Sequence, residues 1–360
     1  MKKKILIISS SAKTGGGPSH IFLLRKLLKN EFDFYLVMPK LSSKLDDLEL
    51  TKYLEISERK VIFQDIYKLI AFAKNNSIDI IHAHGKGAGL IGRLIKIFLR
   101  KPLIYTFHGI HTECLGDIKK FAYILYENLT GWIDNEKVFV SSSELRKAKN
   151  MHLYFKANFS IINNATKNMS FKKNYKKSKN QTIGINNEKK NIISICRLVD
   201  QKNIFEIFAI AKNLPKYNFI ILGHGYLYQS AIKFIRLNKI NNVYLQGNKD
   251  DIYKYLYISD LFLSCSLYEG HPISILEAMS LGLPIVASKV VGNLDTIKDN
   301  QSGLFYKLGD INDALYCIEK IMLNEKIKNR ISINAFKRQR ELFSTDKMKH
   351  AYVSLYNKYK

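Results

Sequence analysis

Apolar residues fall in short bounded runs along most of this chain, separated by stretches in which they recur every three to four positions. Lys4–Ser10, Phe34–Met38, Ile78–Ile81, Leu103–Thr106 and Val138–Val140 read as buried strands, with a shorter strand expected at Val61–Phe63. Ile21, Phe22, Leu24, Leu27 and Leu28 keep a helical period, as do Ile66–Ala73, Leu90–Leu99 and an aromatic-rich stretch, Asp117–Ile133. Ser141–Ser143 ahead of Glu144 reads as a capped helix start, because serine oxygens accept the orphan N–H groups of a first turn. After a further strand at Phe159–Thr166 the alternation resumes. Asn191–Ile195, Asn218–Leu222, Val243–Leu245, Asp260–Ser266, Pro284–Ser288 and Gly303–Tyr306 read as strands; Ile232–Leu237, Ile311–Leu323 and a basic stretch to Leu342 read as helices. Strands alternating with helices predict an α/β protein with parallel sheets covered on both faces.

The pattern breaks at Lys167–Lys190, which is rich in Lys, Asn, Gln and Ser and poor in large apolar residues, so the interdomain linker is placed there. At 360 residues the chain exceeds what one core usually holds. The expected division is a first domain over 1–166, the linker over 167–190, a second domain over 191–345 and a terminal helix over 346–360. Met348, Tyr352, Leu355 and Tyr356 share one side of that last helix.

Three loops carry candidate chemistry. Gly15, Gly16 and Gly17 lie between the first strand and its helix, where a ligand can approach the backbone; a plain flexible turn reads equally well. Their spacing is neither the dinucleotide pattern nor a Walker loop. His82 and His84 end a strand ahead of a glycine-rich turn, Gly85–Gly89. No third ligand stands at a metal-binding spacing, so packing and hydrogen bonding to that turn are expected of them. The third loop, Tyr268–Pro272, joins the run ending at Ser266 to a helix bearing Ile275, Leu276, Met279 and Leu281. Glu269 precedes that helix and Glu277 lies about two turns on, at a different depth. Such a pair suits separate ligand hydroxyls better than a shared proton. A capping Glu269 and a solvent-facing Glu277 is the plainer alternative.

The stretch Glu269–Ser288, EGHPISILEAMSLGLPIVAS, resembles the Glu, seven residues, Glu signature of the retaining glycosyltransferase family 4. The resemblance implies the GT-B fold: two Rossmann-like domains facing each other across a deep cleft, with the last helix crossing back to the first domain. It places Gly15 and Gly16 against donor phosphate, and His108 of Phe107–Gly109 against the transferred sugar. Arg197 and Lys202, on the loop after Ile195, match the family's diphosphate-binding cations. Arginine can grip a diphosphate bidentately, and lysine serves as a point charge. Glu269 would hold hydroxyls of the transferred hexose and Glu277 those of the ribose. Gly223, Gly247, Gly270, His271, Pro272 and Ile273 would line the nucleotide sugar. The chain departs from the family pattern at Cys196 (usually Gly), at Ile162 and Asn164 (usually Pro and Gly) and at Asp295 (usually Glu); Asn164 is expected to take the left-handed position of that Gly. Without an Asp-x-Asp motif, no metal or other cofactor is expected. The implied activity is retaining transfer of a hexose or N-acetylhexosamine from a nucleotide-diphosphate sugar, a UDP-sugar favoured, to a lipid-linked or glycan acceptor in capsule or lipopolysaccharide synthesis. A non-hydrolysing sugar-nucleotide epimerase shares the architecture but should not carry this complete motif set. A binding protein without turnover would not be expected to keep Arg197, Lys202, Glu269 and Glu277 together.

Charge adds a partner. The formal net charge is +26. The lysines are spread along the chain with no nucleic-acid motif, so nucleic acid is not expected. An anionic membrane surface fits as well, with Arg93–Lys101 and Lys119–Tyr126 as basic amphipathic segments and Lys96, Lys101, Lys119 and Lys120 as lipid-facing cations, although a charge-rich solvated helix face reads equally well for each segment. An undecaprenyl-diphosphate-linked glycan would be the acceptor there, and the expected location is cytoplasmic, peripheral at the inner face of a bacterial plasma membrane. The opening MKKKILIISS has too short an apolar part for a signal peptide and reads as a strand. Cys114, Cys196, Cys265 and Cys317 are dispersed, as in a reduced compartment.

Overall fold

Neighbouring apolar residues of one strand enter different cores, which is what burial on both faces of a parallel sheet requires. Ile192 packs in one apolar cluster and Ile193 in another; Phe219 and Ile221 divide from Ile220 and Leu222 in the same way. This computed structural model describes residues 2–11, 15–40, 52–58, 63–110, 112, 116–153, 158–171, 185 and 188–359. The chain divides into two compact units, Met1–Asn164 with Thr345–Lys360, and Ala165–Ser344.

Among the described residues the first unit holds a seven-stranded parallel sheet. Its strands are β1 (Lys3–Ser9), β2 (Phe32–Met38), β3 (Tyr53–Glu55), β4 (Ile80–His84), β5 (Leu103–Phe107), β6 (Glu136–Phe139) and β7 (Asn158–Ile161), in the order β3-β2-β1-β4-β5-β6-β7. Helices α1 (Gly16–Leu28), α2 (Phe63–Asn75), α3 (Lys86–Leu99), α4 (Asp117–Thr130) and α5 (Ser142–Asn150) connect them. The second unit's sheet has six strands: β8 (Lys190–Ile195), β9 (Tyr217–Leu222), β10 (Val243–Gly247), β11 (Leu261–Ser264), β12 (Ile285–Ser288) and β13 (Leu304–Tyr306), ordered β10-β9-β8-β11-β12-β13. Helices α6 (Ile204–Asn213), α7 (Tyr228–Leu237), α8 (Ile252–Ile258), α9 (Ile273–Ser280), α10 (Asn293–Thr296), α11 (Ile311–Met322) and α12 (Glu325–Leu342) follow in chain order. Winding reverses between β1 and β4, and between β8 and β11; ligand crevices in open α/β sheets form at such reversals, beyond the strands' carboxyl ends. The last helix, α13 (Thr345–Lys358), belongs to the first unit and buries Met348, Tyr352, Leu355 and Tyr356.

Several expectations are corrected. Phe63 opens α2 and is not in a strand, and Val61 and Ile62 lie outside the described residues. The edge strand beside β2 is Tyr53–Glu55, too short and too polar for its alternation to be visible. Gly85–Gly89 is not a turn: only Gly85, at φ +83°, lies in one, and α3 starts at Lys86. Gly87 and Gly89 serve close packing, since a Cβ there would sit 2.6 Å from Ser10 Oγ and 2.7 Å from the Tyr105 ring. Most of the expected linker, 172–184 and 186–187, lies outside the described residues. Its first residues pack within the second unit: Phe171 meets Phe336 edge-on at 5.1 Å and covers Gly282.

Candidate active site

In the second unit β8 and β11 lie side by side, and the loops that leave them are laced together. Leu267 N donates to Gln201 O at 2.9 Å, and Gln201 Nε2 to Tyr268 O at 3.0 Å. Lys202, in a 3₁₀ turn before α6, forms a mostly buried ion pair with Glu269. Ser266 Oγ donates to the same Glu269 oxygen at 2.7 Å. Gly292, at φ +85°, allows this packing, because a Cβ there would fall 2.7 Å from the Glu269 carbonyl. Ser194, Cys196, Lys202, Ser264, Ser266, Glu269 and Ser274 line the resulting crevice. A wall of hydroxyls around one cation and one carboxylate suits a polyhydroxylated anionic ligand.

Glu269 does not cap α9: Pro272 stands at its N-cap and no side chain satisfies the first turn. Gly270, His271 and Pro272 are buried and Ile273 is half-buried, and none of the four lines the crevice; the His271 ring lies 4.9 Å from Phe343. Glu277, half-buried on α9, makes no ion pair among the described residues, and burial pushes its carboxyl up to about 8. Its charge acts on Tyr253 of α8, whose hydroxyl is raised mainly by burial. Gly223 lies flush against the main chain of Cys196, where a Cβ would stand 2.0 Å from the carbonyl oxygen. Its N–H donates to Gly247 O at 2.8 Å, which joins the β9 and β10 turns. Burial raises the Cys196 thiol to about 11. Arg197 is exposed, with Nη2 3.5 Å from Gln201 Oε1; the structure brings Lys202, not Arg197, to Glu269. Asp295 is half-buried in α10, and its carbonyl accepts from Arg338 at 2.6 Å.

The first unit carries a histidine cluster at its own reversal. His82 and His84 both lie inside β4, ring centroids 4.0 Å apart, and both are buried. His82 is hydrogen-bonded at 2.7 Å to Tyr356 Oη and to Thr106 Oγ1; the glycine-rich segment is not its partner. His84 Nδ1 lies 3.0 Å from His108 Nε2. His20, fully buried on α1, donates from Nδ1 to Asn164 Oδ1 at 2.8 Å and accepts at Nε2 from Tyr352 Oη at 3.0 Å. Burial lowers His20 to about 4 and holds His82 and His84 well below the ordinary histidine value. Asn164 is not left-handed, contrary to expectation, and its side chain instead anchors His20. Ile162 is buried, with its N–H donating to Phe139 O at 3.0 Å. Gly15 precedes α1 in an extended conformation, Gly16 starts the helix, and a Cβ on Gly17 would rest 3.7 Å from the His108 ring.

Sequence reading missed Thr106, Asn164, Tyr352 and Tyr356 as partners of the histidines. The tyrosines stood at i and i+4 on the last helix, but an apolar stripe does not reveal which hydroxyls meet polar groups. It also misjudged Arg93 and Lys96. Arg93 is buried against Glu127 and Asp134, each at 2.7 Å, and Lys96 donates to Ile133 O, so neither faces lipid. Among the described residues no group of three or more His, Cys, Asp or Glu could hold a metal ion.

Two doubly wound units, with the last helix belonging to the first, define a GT-B fold. Residues 14–164 match the model "Glycosyltransferase Family 4" and residues 176–338 match "Glycosyl transferases group 1". The chain is thus a member of the GT-B glycosyltransferase superfamily related to these two groups. It is 26% identical over 361 residues to UDP-Gal:alpha-D-GlcNAc-diphosphoundecaprenol alpha-1,3-galactosyltransferase of Escherichia coli, spanning 92% of this chain and 91% of that one. It is 24% identical over 333 residues to N,N'-diacetylbacillosaminyl-diphospho-undecaprenol alpha-1,3-N-acetylgalactosaminyltransferase of Campylobacter jejuni, spanning 87% and 88%. The fold is similar to that of Anabaena HepE, solved in complex with UDP and glucose: TM-score 0.84, 17% identity, 99% of this chain and 100% of that chain.

Proposed function

We propose that this protein is a retaining glycosyltransferase that moves a hexose or N-acetylhexosamine from a UDP-sugar to an undecaprenyl-diphosphate-linked glycan. The observation that carries the reading is the crevice at the β8/β11 reversal, where Lys202, Glu269 and a ring of serine hydroxyls converge. In the reaction the acceptor oxygen bonds to the anomeric carbon as the bond from that carbon to the diphosphate breaks, and the acceptor's proton passes to a donor phosphate oxygen. Arg197 and Lys202 oppose the charge growing on the leaving diphosphate, the largest electrostatic contribution available. Lys202 then exchanges part of its bond with Glu269 for one with phosphate, which frees Glu269 oxygens to accept from sugar hydroxyls. Glu277 binds the ribose hydroxyls, Gly15 and Gly16 give donor phosphate access to the backbone, and His108 contacts the transferred sugar. The relatives named for undecaprenol-linked substrates support this acceptor class.

The proposed site of action is the inner face of a bacterial plasma membrane, and α4 supports it. Its fully buried residue is a carboxylate, Glu127, held by Arg93; Tyr123 and Ile124 pack against the core, and its other large aliphatic and phenyl side chains face outward. Ile118, Phe121, Leu125, Leu129 and Trp132 form one exposed stripe, with Trp132 70% exposed and Lys119 and Lys120 beside it. On α3, Ile97 and Phe98 are exposed as well. An apolar stripe flanked by lysines fits an anionic bilayer surface. Among the described residues no helix is long and apolar enough to cross a membrane. Released UDP, measured across a panel of nucleotide sugars with and without a polyprenyl-diphosphate-linked acceptor, tests the assignment. Acceptor-dependent release from one UDP-sugar is expected; no release with any donor would refute it.

A further inference from the structure

His84 is 4% exposed: its Nδ1 meets His108 Nε2 at 3.0 Å, while its buried Nε2 has no hydrogen-bond partner among the described residues. Burial and the neighbouring imidazoles keep His84 neutral, and a neutral imidazole has one N–H and one bare nitrogen. If the proton sat on Nε2, a buried donor would be left without an acceptor, an arrangement rare in folded proteins; a bare acceptor nitrogen is tolerated better. With the proton on Nδ1 it is used, donated to His108 Nε2. The rest of the cluster fixes the choice. His20, whose own nitrogens are committed to Asn164 and Tyr352, packs edge-on against His108 at 4.9 Å, and His82 is committed to Tyr356 and Thr106. Neither can replace His84.

We infer that His84 is a positioning residue: by donating to His108 Nε2 it fixes the His108 ring as the tautomer protonated on Nδ1, so that His108 meets its ligand as a hydrogen-bond donor through that nitrogen. This rests on the reading of His108 as a sugar-contacting group, and it adds which atom makes the contact and what sets it. A donor held in advance orients the sugar hydroxyl it meets without reorganising during the reaction.

Two measurements test it. Nitrogen-15 spectra of histidine-labelled wild-type protein, with His108 assigned by its loss in His108→Asn, report the tautomer directly and need no substrate. Protonation on Nδ1 is expected, and a resting ring protonated on Nε2 overturns the inference. Kinetics form the second arm. His84→Asn keeps an amide donor close to the place of Nδ1, whereas His84→Leu removes it. His84→Leu should lower kcat about tenfold, the net worth of one neutral hydrogen bond, with donor KM unchanged. His84→Asn should stay within about threefold of wild type on the same scale. Equal losses in both variants, or a loss confined to KM, would mean a structural role only. A protein that turns over no donor would sink the transferase reading, while the tautomer measurement would still decide this one. The tautomer also decides it should His84→Leu not fold.

Discussion

At the scale of single residues, the proposed site sets two cations apart by their surroundings. Arg197 is exposed, so Arg197→Ala should cost about a hundredfold or more in kcat while leaving the melting temperature unchanged. Lys202 is paired with a buried Glu269, so Lys202→Ala strands a carboxylate and should lower both activity and stability. Calorimetric melts beside turnover assays separate the two; equal stability of both variants would mean that the ion pair contributes nothing to the fold. Glu277 gives a signed pH effect. Its folded carboxyl titrates at about 8 against an ordinary 4.5, so between those values the folded state binds more protons than the unfolded one. Stability from this group therefore falls as pH rises through that window. Glu277→Gln removes the effect, so the variant's melting temperature relative to wild type should climb from acid to alkaline pH; a constant difference would place Glu277 in water. Free UDP should also bind the variant more weakly by calorimetry, because a ribose partner is lost.

At the scale of elements, the strand and helix pattern was legible because both sheets are parallel and most of their strands are buried on both faces, so those strands appear as apolar runs. Reading failed where period and packing part company. Tyr53–Glu55 is an edge strand with little to bury, and Gly85–Gly89 looked like a turn because glycine in a helix is read as a breaker until its neighbours are known. The second unit's loop chemistry was legible because Lys202, Glu269 and Glu277 are polar residues within apolar surroundings. The partners of the first unit's histidines lay beyond reach, since pairing β4 and α1 with α13 joins residues far apart in sequence. That pairing predicts an acid response. His20 titrates near 4 and His82 and His84 lie well below 6.5, so folding excludes protons that the unfolded chain would bind. Their contribution is complete above 6.5 and is lost as pH falls toward 4. Glu144, pushed up to about 8 by burial, and Glu127, also raised by burial, act in the opposite direction above 4.5, but as two groups against three histidines. The first unit should therefore lose stability on acidification below 6.5, as urea melts over a pH series can show; stability rising toward acid would contradict the buried neutral cluster. Element geometry also redefines the membrane test. Lys96 holds Ile133 and should be left intact, while Phe121→Ser with Trp132→Ser, or Lys119→Gln with Lys120→Gln, should reduce sedimentation with anionic vesicles at low salt. Unchanged sedimentation in both pairs would assign the stripe to another partner.

At the scale of the whole molecule, two α/β units of similar winding carry different chemistry at their reversals: an ion pair ringed by hydroxyls in one and neutral buried histidines in the other. The ion-pair crevice of the second unit fits a diphosphate sugar, and the histidine cluster of the first unit fits a hydroxyl-bearing group that needs orientation more than charge. The +26 charge and the outward stripe of α4 suggest where such a pair of substrates would be found. The most direct test of this account is single-turnover transfer from a UDP-sugar panel to a polyprenyl-diphosphate-linked glycan, with the anomeric configuration of the product read by proton NMR, for wild type and for Arg197→Ala/Lys202→Ala. The account predicts transfer from one UDP-sugar with its anomeric configuration retained, and its near-complete loss in the folded double variant. Inverted product, or undiminished transfer without both cations, would contradict it.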